Sequence, residues 1–375
     1  MKLTYRLIKL NPKRESVWKC KFDEKNTKTF NTPLFFPVLS FYCGGRWKAF
    51  HGGGIYRAIK EKIVKDKVVK GMYSLVLTSV SQLQDFNLNE TQLSYYFQKS
   101  IKEWFGLNSV LFVDSGGFKL LGSKRLRKDL YSPERVLNFQ LKFGADIIVP
   151  LDYPLDIGIR NQERKKRMKI TIKNAISLLR LVELENVKNV VKFLPIHGHS
   201  REELSYFLST FLKELDKEGL EFGYEGIAIG SLVPHAMNGK KLISLLLDVR
   251  KVLEEFGFYE TKPIHVFGIS ASLIPAMSFL VDSFDSSSYL MSAIHGVIYD
   301  EKFRRYQLDG TFTLGKLKKG YVLTKYRKID TSVIALHNLE VMLKEVKFIR
   351  EHDENEILKR YAKTKLAKKF LKMVI

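Results

Sequence analysis

Eight short apolar runs divide most of the chain, and their spacing limits its fold more than any other feature of the sequence. Most runs begin about 30 to 45 residues after the one before, which is typical of strands alternating with helices. Eight buried parallel strands, each followed by a helix, predict an α/β fold of the (β/α)8 TIM-barrel class. A doubly wound open sheet is the alternative, but eight regular units favour a closed barrel. The first residues of the runs are Leu34, Tyr73, Val110, Asp146, Val190, Gly226, Ile264 and Phe279.

The segments between the runs carry helix signals that support this alternation. After the fifth run, Ser200 is a candidate N-cap, and Glu203 completes a capping-box pattern. Gly219 fits the C′ position at the other end of the same helix. The division we predict is a strand-rich lead-in (1–30), a barrel (31–330) and a basic helical C-terminal extension (331–375).

The charge of the sequence indicates a polyanionic partner. Its 63 lysines and arginines outweigh 40 aspartates and glutamates, which leaves a formal net charge of +23. Such an excess favours nucleic acid, because lysines and arginines that neutralise phosphates release condensed counterions. No apolar run approaches the roughly 20 residues that cross a bilayer, so we expect a cytoplasmic protein with no membrane partner. The C-terminal cations form either a phosphate-binding face or a solvated helix face: Lys359, Arg360, Lys363, Lys365, Lys368, Lys369 and Lys372.

Polar side chains follow most of the predicted strands at the point where each strand ends. In a (β/α)8 barrel the C-terminal ends of the strands share one rim, and the catalytic groups lie there. Two carboxylates on that rim can have separate roles in a displacement at a sugar carbon. One acts as the nucleophile, and the other acts as the proton donor. With the basic composition, this chemistry indicates cleavage or exchange of an N-glycosidic bond in a nucleotide, and a glycoside hydrolase is the weaker alternative. The polar run ends are Asp114, Asp152, His197, Ser231, Ser270 and Asp285.

Six motifs occur in the order and spacing found in one known superfamily. They are VDSGGF (113–118), PLDYP (150–154), IHG (196–198), GIAIGSL (226–232), HVFGIS (265–270) and VDSFD (281–285). From about Thr32 to Asp285 the chain resembles the tRNA-guanine transglycosylase superfamily. Members of that superfamily are (β/α)8 barrels that replace guanine in a polynucleotide by a 7-deazaguanine without breaking the backbone.

The resemblance implies roles for three carboxylates. Asp285 would be the nucleophile that attacks C1′ and expels guanine. Asp114 would be the general acid and base, which protonates the leaving purine and later takes a proton from the incoming base. Asp152 would recognise the guanine edge, because a carboxylate accepts hydrogen bonds from both the ring N–H and the exocyclic amine.

The resemblance also implies a pocket for the exchanged base. Phe118 and Phe267 would lie on the two faces of the base, where stacking needs only an apolar π surface. Gly116 and Gly117 are expected to leave room for the flat ring. Ser231 would contribute through its backbone N–H. The full set of pocket residues is Asp152, Ser115, Phe118, His197, Gly230, Ser231, Leu232, Phe267 and Gly268.

The sequence departs from the family pattern at several positions. Lys119 and His197 each replace a usual glutamine, and Ser231 replaces a usual glycine. The two cysteines, Cys20 and Cys43, are too few for a disulfide framework. No cysteine follows Cys43, so the C-x-C-x-x-C…His zinc site of the tRNA enzymes has no equivalent in this sequence.

The missing zinc motif makes the chain most similar to the branch of the superfamily that acts on DNA. In that branch the incoming base is usually preQ0 or a relative, and the modified DNA resists restriction nucleases. The resemblance therefore implies a DNA-guanine transglycosylase that uses DNA and a free 7-deazaguanine base, with no cofactor and no metal. A tRNA-guanine transglycosylase is the first alternative, and a non-catalytic nucleic-acid-binding subunit is the second. Related tRNA enzymes commonly act as dimers, which makes a homodimer an expectation.

Overall fold

Eight parallel strands follow a small antiparallel sheet in the computed structural model, whose described residues are 1–10, 13–42, 53–122, 127–232, 238–308 and 330–375. The antiparallel strands are β1 (Lys2–Lys9), β2 (Glu15–Lys21) and β3 (Thr27–Asn31). The parallel strands are β4 (Leu34–Pro37), β5 (Leu75–Ser79), β6 (Val110–Asp114), β7 (Ile147–Ile148), β8 (Val191–Ile196), β9 (Gly226–Ile229), β10 (Ile264–Val266) and β11 (Ser283–Ser286).

The parallel strands close into a barrel. Their order is β4-β11-β10-β9-β8-β7-β6-β5, so each strand pairs with its neighbours along the chain except where β4 pairs with β11. A parallel bridge between Val38 and Leu77 then brings the two end strands, β4 and β5, together. The sheet is nearly closed, and the predicted (β/α)8 barrel is confirmed.

Helices follow every strand of the barrel, as the alternation of the sequence predicts. They are α1 (Gly53–Lys65), α2 (Lys67–Gly71), α3 (Gln82–Asp85), α4 (Glu90–Tyr96), α5 (Ile101–Phe105), α6 (Pro133–Phe143), α7 (Asn161–Leu184), α8 (Arg201–Lys217), α9 (Gly239–Glu255), α10 (Ile274–Met277) and α11 (Ser288–Ile294). Their apolar faces pack on the outer side of the strands and form the larger of the two hydrophobic clusters. The smaller cluster fills the barrel interior.

The ends of α8 follow the sequence signals with one difference. Ser200 accepts a hydrogen bond from the backbone N–H of Glu203, and Gly219 has a φ of +63°, as a C′ residue requires. The Glu203 carboxylate does not accept from Ser200, because it instead accepts from the backbone N–H of His199 at 2.7 Å and pairs with Arg164 at 2.5 Å. Half of the predicted capping box is therefore replaced by a link to α7.

Most of the strands are shorter than the apolar runs that predicted them, and β7 and β11 are two examples. β7 comprises only two residues, and β11 begins at Ser283 although its run begins at Phe279. Phe279 and Leu280 are buried, but their N–H groups donate to the carbonyls of Ala276 and Met277 and so continue the turn after α10. A short apolar run indicates burial and does not by itself distinguish a strand from a buried turn.

The antiparallel sheet of β1 to β3 covers the N-terminal end of the barrel. Trp18 is 1% exposed, and its ring centroid lies 6.5 Å from that of Phe36 and 5.8 Å from that of Phe193, two residues of the barrel interior. Met1 and Cys20 are buried in the same cluster. Among the described residues, the barrel interior is therefore closed at this end, and its other end carries the loops that follow the strands.

A buried ion pair fastens this small sheet to the barrel. Arg14 Nε lies 2.9 Å from Asp282 Oδ2, and neither side chain is exposed to solvent. Asp282 also accepts hydrogen bonds from Ser16 Oγ at 2.5 Å and from the backbone N–H of Ile264 at 2.8 Å. Arg14 Nη1 donates to the carbonyl of Tyr259 at 2.6 Å. Because several partners satisfy both charges, the pair holds the lead-in against β10 and β11.

The described residues after the barrel form a hairpin and three helices. The hairpin strands are β12 (Val297–Tyr299) and β13 (Arg305–Gln307), and the helices are α12 (Thr331–Glu351), α13 (Glu354–Tyr361) and α14 (Lys365–Leu371). α12 packs on α11 and β12, and α14 packs on α10. No helix in the described part of the chain is long and apolar enough to cross a membrane.

One member of the predicted C-terminal cationic face is engaged inside the protein. Arg360 Nε donates to the buried Glu345 carboxylate at 2.8 Å, and Tyr361 OH donates to the same oxygen at 2.6 Å. Arg360 therefore joins α13 to α12, and its inclusion among phosphate-binding residues is wrong. The six lysines of that face are exposed and form no ion pair with the described residues.

Candidate active site

The carboxyl ends of β5 and β6 bring Ser79 and Asp114 together, because the two residues are partners in the parallel register. Ser79 Oγ donates to Asp114 Oδ2 at 3.0 Å, and the backbone N–H of Gly116 donates to the same oxygen at 3.1 Å. Asp114 Oδ1 makes no hydrogen bond with the described residues. One oxygen of this carboxyl is anchored, and the other is left to act on a ligand.

The surroundings of Asp114 raise the pKa of its carboxyl to about 7. Burial is the largest cause, because desolvation penalises the charged form, and the negative charges of Asp152 and Asp285 act in the same direction. The hydrogen bonds from Gly116 and Ser79 lower the pKa, since both stabilise the ionised carboxylate. The other two aspartates thus act on Asp114, and a carboxyl whose pKa is raised in this way suits both the donation and the acceptance of a proton.

Asp285, on the last barrel strand, is held by two donors. The backbone N–H of Gly268 donates to Asp285 Oδ1 at 3.1 Å, and His265 Nε2 lies 3.2 Å from the same oxygen. His265 Nδ1 lies 2.9 Å from Ser283 Oγ, and its ring is fully buried in the barrel interior. Burial lowers the pKa of His265, although the hydrogen bond that its ring donates to Asp285 opposes this effect. The neutral ring, with its proton on Nε2 and Nδ1 accepting from Ser283, orients the Asp285 carboxylate.

Asp152 belongs to a buried hydrogen-bond network at the ends of four strands, β6 to β9. Ser115 Oγ donates to Asp152 Oδ1 at 2.5 Å. His197 Nε2 lies 3.2 Å from Asp152 Oδ2, while His197 Nδ1 lies 2.7 Å from Ser231 Oγ. Ser231 Oγ accepts from the backbone N–H of Leu155 at 2.7 Å, so its own proton is directed to His197 Nδ1. This network leaves the imidazole proton on Nε2, where no described residue offers an aligned acceptor.

Gly116 and Gly117, which follow Ser115, lie too close to neighbouring segments to accept a side chain. A Cβ at Gly117 would collide with the backbone carbonyl and the Oδ1 of Asp152. Gly116 has a φ of +82°, and a Cβ there would lie 2.8 Å from the backbone N of Ser81. A side chain at either position would therefore collide with a neighbouring loop, and the expected crowding of the exchanged base remains a prediction.

The remaining predicted pocket residues lie at different depths. Phe118 is 50% exposed at the rim. Phe267 is partly buried, with its ring 5.7 Å from Phe112 and 4.9 Å from His265 in the upper barrel interior. Leu232 is buried. An exposed ring and a ring at the top of the core are thus available to a planar ligand.

Gly230 and Ser231 act mainly on their neighbours. A Cβ at Gly230 would lie 2.5 Å from the His197 ring, so the glycine allows that ring to pack against the end of β9. Ser231 has a φ of +62°, and its hydroxyl links His197 to Leu155. The predicted contribution of the Ser231 backbone N–H remains a prediction.

Two residues of the site were not predicted from the sequence. Ser79 ends its apolar run as Asp114 does, and its position as a strand-end hydroxyl was the available signal. His265 stands two residues before Phe267, so strand alternation places both side chains toward the barrel interior. Lys119, which breaks the family pattern, pairs with Asp85 at 2.6 Å.

The donor set of the chain does not fit the zinc site of the tRNA enzymes. The sequence contains two cysteines. Cys20 is buried where the lead-in closes the barrel, and Cys43 lies outside the described residues. Within the described residues, no group of three or more His, Cys, Asp and Glu side chains is arranged to hold a metal ion.

Fold and site together define a (β/α)8-barrel protein with a carboxylate site at the C-terminal ends of its strands. The model of the queuine tRNA-ribosyltransferase family matches residues 54–370, and the chain belongs to this family of transferases. Membership in the family agrees with the resemblance found in the motifs, whereas the DNA-specific branch is not confirmed.

Curated relatives share low sequence identity with the chain. The tRNA-guanine(15) transglycosylase of Nanoarchaeum equitans is 28% identical over 334 residues, which cover 87% of this chain and 69% of the relative. The protein of the same name from Pyrococcus furiosus is 24% identical, over 88% of this chain and 51% of the relative. The queuine tRNA-ribosyltransferase of Dictyoglomus turgidum is 25% identical over 289 residues, covering 67% and 70% of the two chains. The chain spans about half the length of several of these archaeal relatives.

Proposed function

We propose that the chain exchanges guanine in a nucleic acid for a free 7-deazaguanine base through a covalent intermediate on Asp285. The observation that carries the proposal is the position of Asp285 and Asp114 on one rim of the barrel, at the carboxyl ends of β11 and β6. Each carboxylate has one oxygen fixed by two hydrogen-bond donors, and Asp114 has a pKa of about 7. A nucleophilic carboxylate on the same rim as a carboxyl whose pKa is raised toward neutral suits displacement at an anomeric carbon.

The exchange consists of two balanced displacements. Asp285 attacks C1′ of the target nucleotide, the C1′–N9 bond breaks, and guanine leaves with the electron pair on N9. Protonated Asp114 gives its proton to the departing purine and becomes a carboxylate. The incoming base then attacks C1′ with its ring nitrogen and loses the N–H proton to Asp114. The Asp285–C1′ ester bond breaks in the same step, which restores both carboxyl groups.

Asp152 and His197 supply a donor and acceptor pattern that matches a guanine edge. Ionised Asp152 accepts from the ring N–H and the exocyclic amine, while His197 Nε2–H, which has no aligned acceptor among the described residues, donates to the carbonyl oxygen. Ser115 and Ser231 hold the two side chains in place. A base without this edge leaves buried polar groups unpaired, which penalises its binding.

For the polynucleotide we favour tRNA, because the curated relatives are named for tRNA and the chain matches them over most of its length. The same exchange in DNA is the second candidate. The observation in its favour is the sequence itself, in which no zinc-binding cysteine motif follows Cys43. The displacement at C1′ does not involve the 2′-hydroxyl, so the chemistry is compatible with both polymers.

Incorporation of a labelled base tests both parts of the proposal. The protein is incubated with radiolabelled preQ0 and, in parallel, with unmodified tRNA and with duplex DNA. We expect label in tRNA, with loss of incorporation in Asp285→Asn and Asp114→Asn, and normal incorporation in the exposed control Asp216→Asn. Label in DNA alone would replace the tRNA assignment by the second candidate. Undiminished incorporation by Asp285→Asn would contradict the proposed nucleophile.

A further inference from the structure

A cleft of about 480 Å³ lies beside the nucleophile strand. It is bordered by the loop after β10, by α11, by the β12–β13 hairpin and by the turn between α13 and α14. Ser288 in its wall is three residues beyond Asp285, and Ser270 is two residues beyond Gly268, whose N–H holds Asp285. Two walls of the cleft therefore begin within three residues of the groups that form and hold the candidate nucleophile, and its other walls belong to the hairpin and the C-terminal helices.

Among the described residues, the charged side chains that border the cleft are all cationic. Arg304, Arg305, Lys363 and Lys365 are part of its lining, and none of the described lining residues is acidic. Arg304 pairs with Asp300 at 2.7 Å, outside the lining. Arg305, Lys363 and Lys365 are exposed and form no ion pair with the described residues. Three cations without internal partners on one cleft favour an anionic ligand.

The cleft also has an apolar surface. Met291 is 47% exposed and Leu366 is 51% exposed, and both belong to the lining together with the buried Phe303. Exposed apolar side chains next to cations without an ion-pair partner suit a ligand that combines an apolar or planar part with a negative charge. A nucleotide has this combination, since its base and sugar bury apolar surface and its phosphate pairs with cations.

We propose that this cleft binds the sugar–phosphate backbone of the substrate polynucleotide next to the nucleotide that enters the active site. Lys363, Lys365 and Arg305 contact consecutive phosphates, and Met291 with Leu366 contacts the flanking sugar and base. The inference rests on the proposed function for its substrate class, but it concerns a second binding surface. It gives the C-terminal helices a direct part in substrate recognition.

Equilibrium binding tests the cleft independently of catalysis. Fluorescence anisotropy with labelled tRNA and labelled duplex DNA, without any incoming base, is measured across a series of salt concentrations. We expect the double variant Lys363→Ala/Lys365→Ala to weaken binding about tenfold at physiological salt. The slope of log K against log salt should fall in magnitude by about 1.5, because two phosphate contacts are lost. The variant Lys363→Arg/Lys365→Arg should restore both.

The matched control lies at the opposite end of the barrel. Lys19 and Lys21 are exposed on β2 and form no ion pair with the described residues, so Lys19→Ala/Lys21→Ala removes the same charge far from the cleft. We expect this control to leave the salt slope close to that of the unsubstituted protein. An equal loss in both double variants, or an unchanged slope in the cleft variant, would overturn the assignment. Failure of base exchange with intact cleft effects would contradict the proposed function alone.

Discussion

The two candidate catalytic carboxylates, Asp114 and Asp285, have different hydrogen-bond donors around them. Asp114 is anchored by a hydroxyl and a backbone N–H, and its pKa is raised mainly by burial. Asp285 is anchored by a backbone N–H and by the ring of His265, a neutral donor. Under the proposed mechanism one carboxyl has to hold a proton and the other has to lack it, and these neighbours support that division.

Ser79 should tune the pH dependence of the proposed guanine release. Its hydroxyl stabilises ionised Asp114, so Ser79→Ala is expected to raise the pKa of Asp114 further above about 7. Release needs protonated Asp114 and therefore declines as pH rises through that pKa. The decline should move to higher pH by roughly half a unit to one unit. Single-turnover release measured from pH 5 to 9, with the exposed Ser209→Ala as control, checks this expectation, and a shift to lower pH would contradict it.

His265 should act as a positioning residue for Asp285. His265→Leu removes the donor and leaves an Asp285 oxygen short of one hydrogen bond, so formation of the covalent intermediate should slow about tenfold to a hundredfold. His265→Gln offers an amide donor in a similar place and should recover most of the rate. Mass spectrometry of the trapped adduct over time is the measurement. Equal rates in the two variants would indicate that the ring only fills space.

The link between the lead-in and the barrel should respond strongly to substitution. Arg14→Met leaves Asp282 buried without its cation, and we expect a loss of about 3 to 5 kcal/mol in the free energy of unfolding. Urea denaturation followed by tryptophan fluorescence measures the change. Arg6→Met, on the exposed side of β1, is the matched control and should change stability by less than about 0.5 kcal/mol.

The sequence predicted which strands exist better than it predicted the residues at which they begin and end. The eight runs located the eight strands, because buried parallel strands are continuous apolar segments. It could not show that Phe279 and Leu280 extend a turn, since burial alone leaves the backbone hydrogen bonds undetermined. Arg360 looked like one more surface cation, and only the fold brings it to Glu345 on another helix.

The sequence predicted those site residues whose position depends on a single strand end. It did not predict contacts between segments that are distant in the sequence. Asp114 and Asp285 are the last residues of their predicted runs, so their positions on the rim follow from the fold class. The contact of Gly117 with Asp152 joins segments more than thirty residues apart, and no local pattern reveals it. The role of His265 likewise depends on its register with Ser283 on the neighbouring strand.

At the scale of the whole molecule, stability should depend on the seal at the N-terminal end of the barrel. Trp18→Ala removes the largest side chain of that seal and should cost about 3 to 5 kcal/mol in the free energy of unfolding. Trp18→Phe should cost less, because it keeps an aromatic ring and removes an indole N–H that has no partner among the described residues. Urea titration of both variants and of Lys19→Ala checks this order, and a larger loss in Trp18→Phe would contradict it.

The sealed end also has a kinetic consequence for the proposed exchange. With the lead-in sheet across one end of the barrel, the expelled purine and its replacement have to pass through the same mouth at the loop-bearing end. The first base must then depart before the second can enter, which gives ping-pong kinetics with guanine as a competitor of the incoming base. Raising the guanine concentration should convert the covalent intermediate back to the unmodified nucleic acid. The first displacement of the proposed exchange should therefore be reversible.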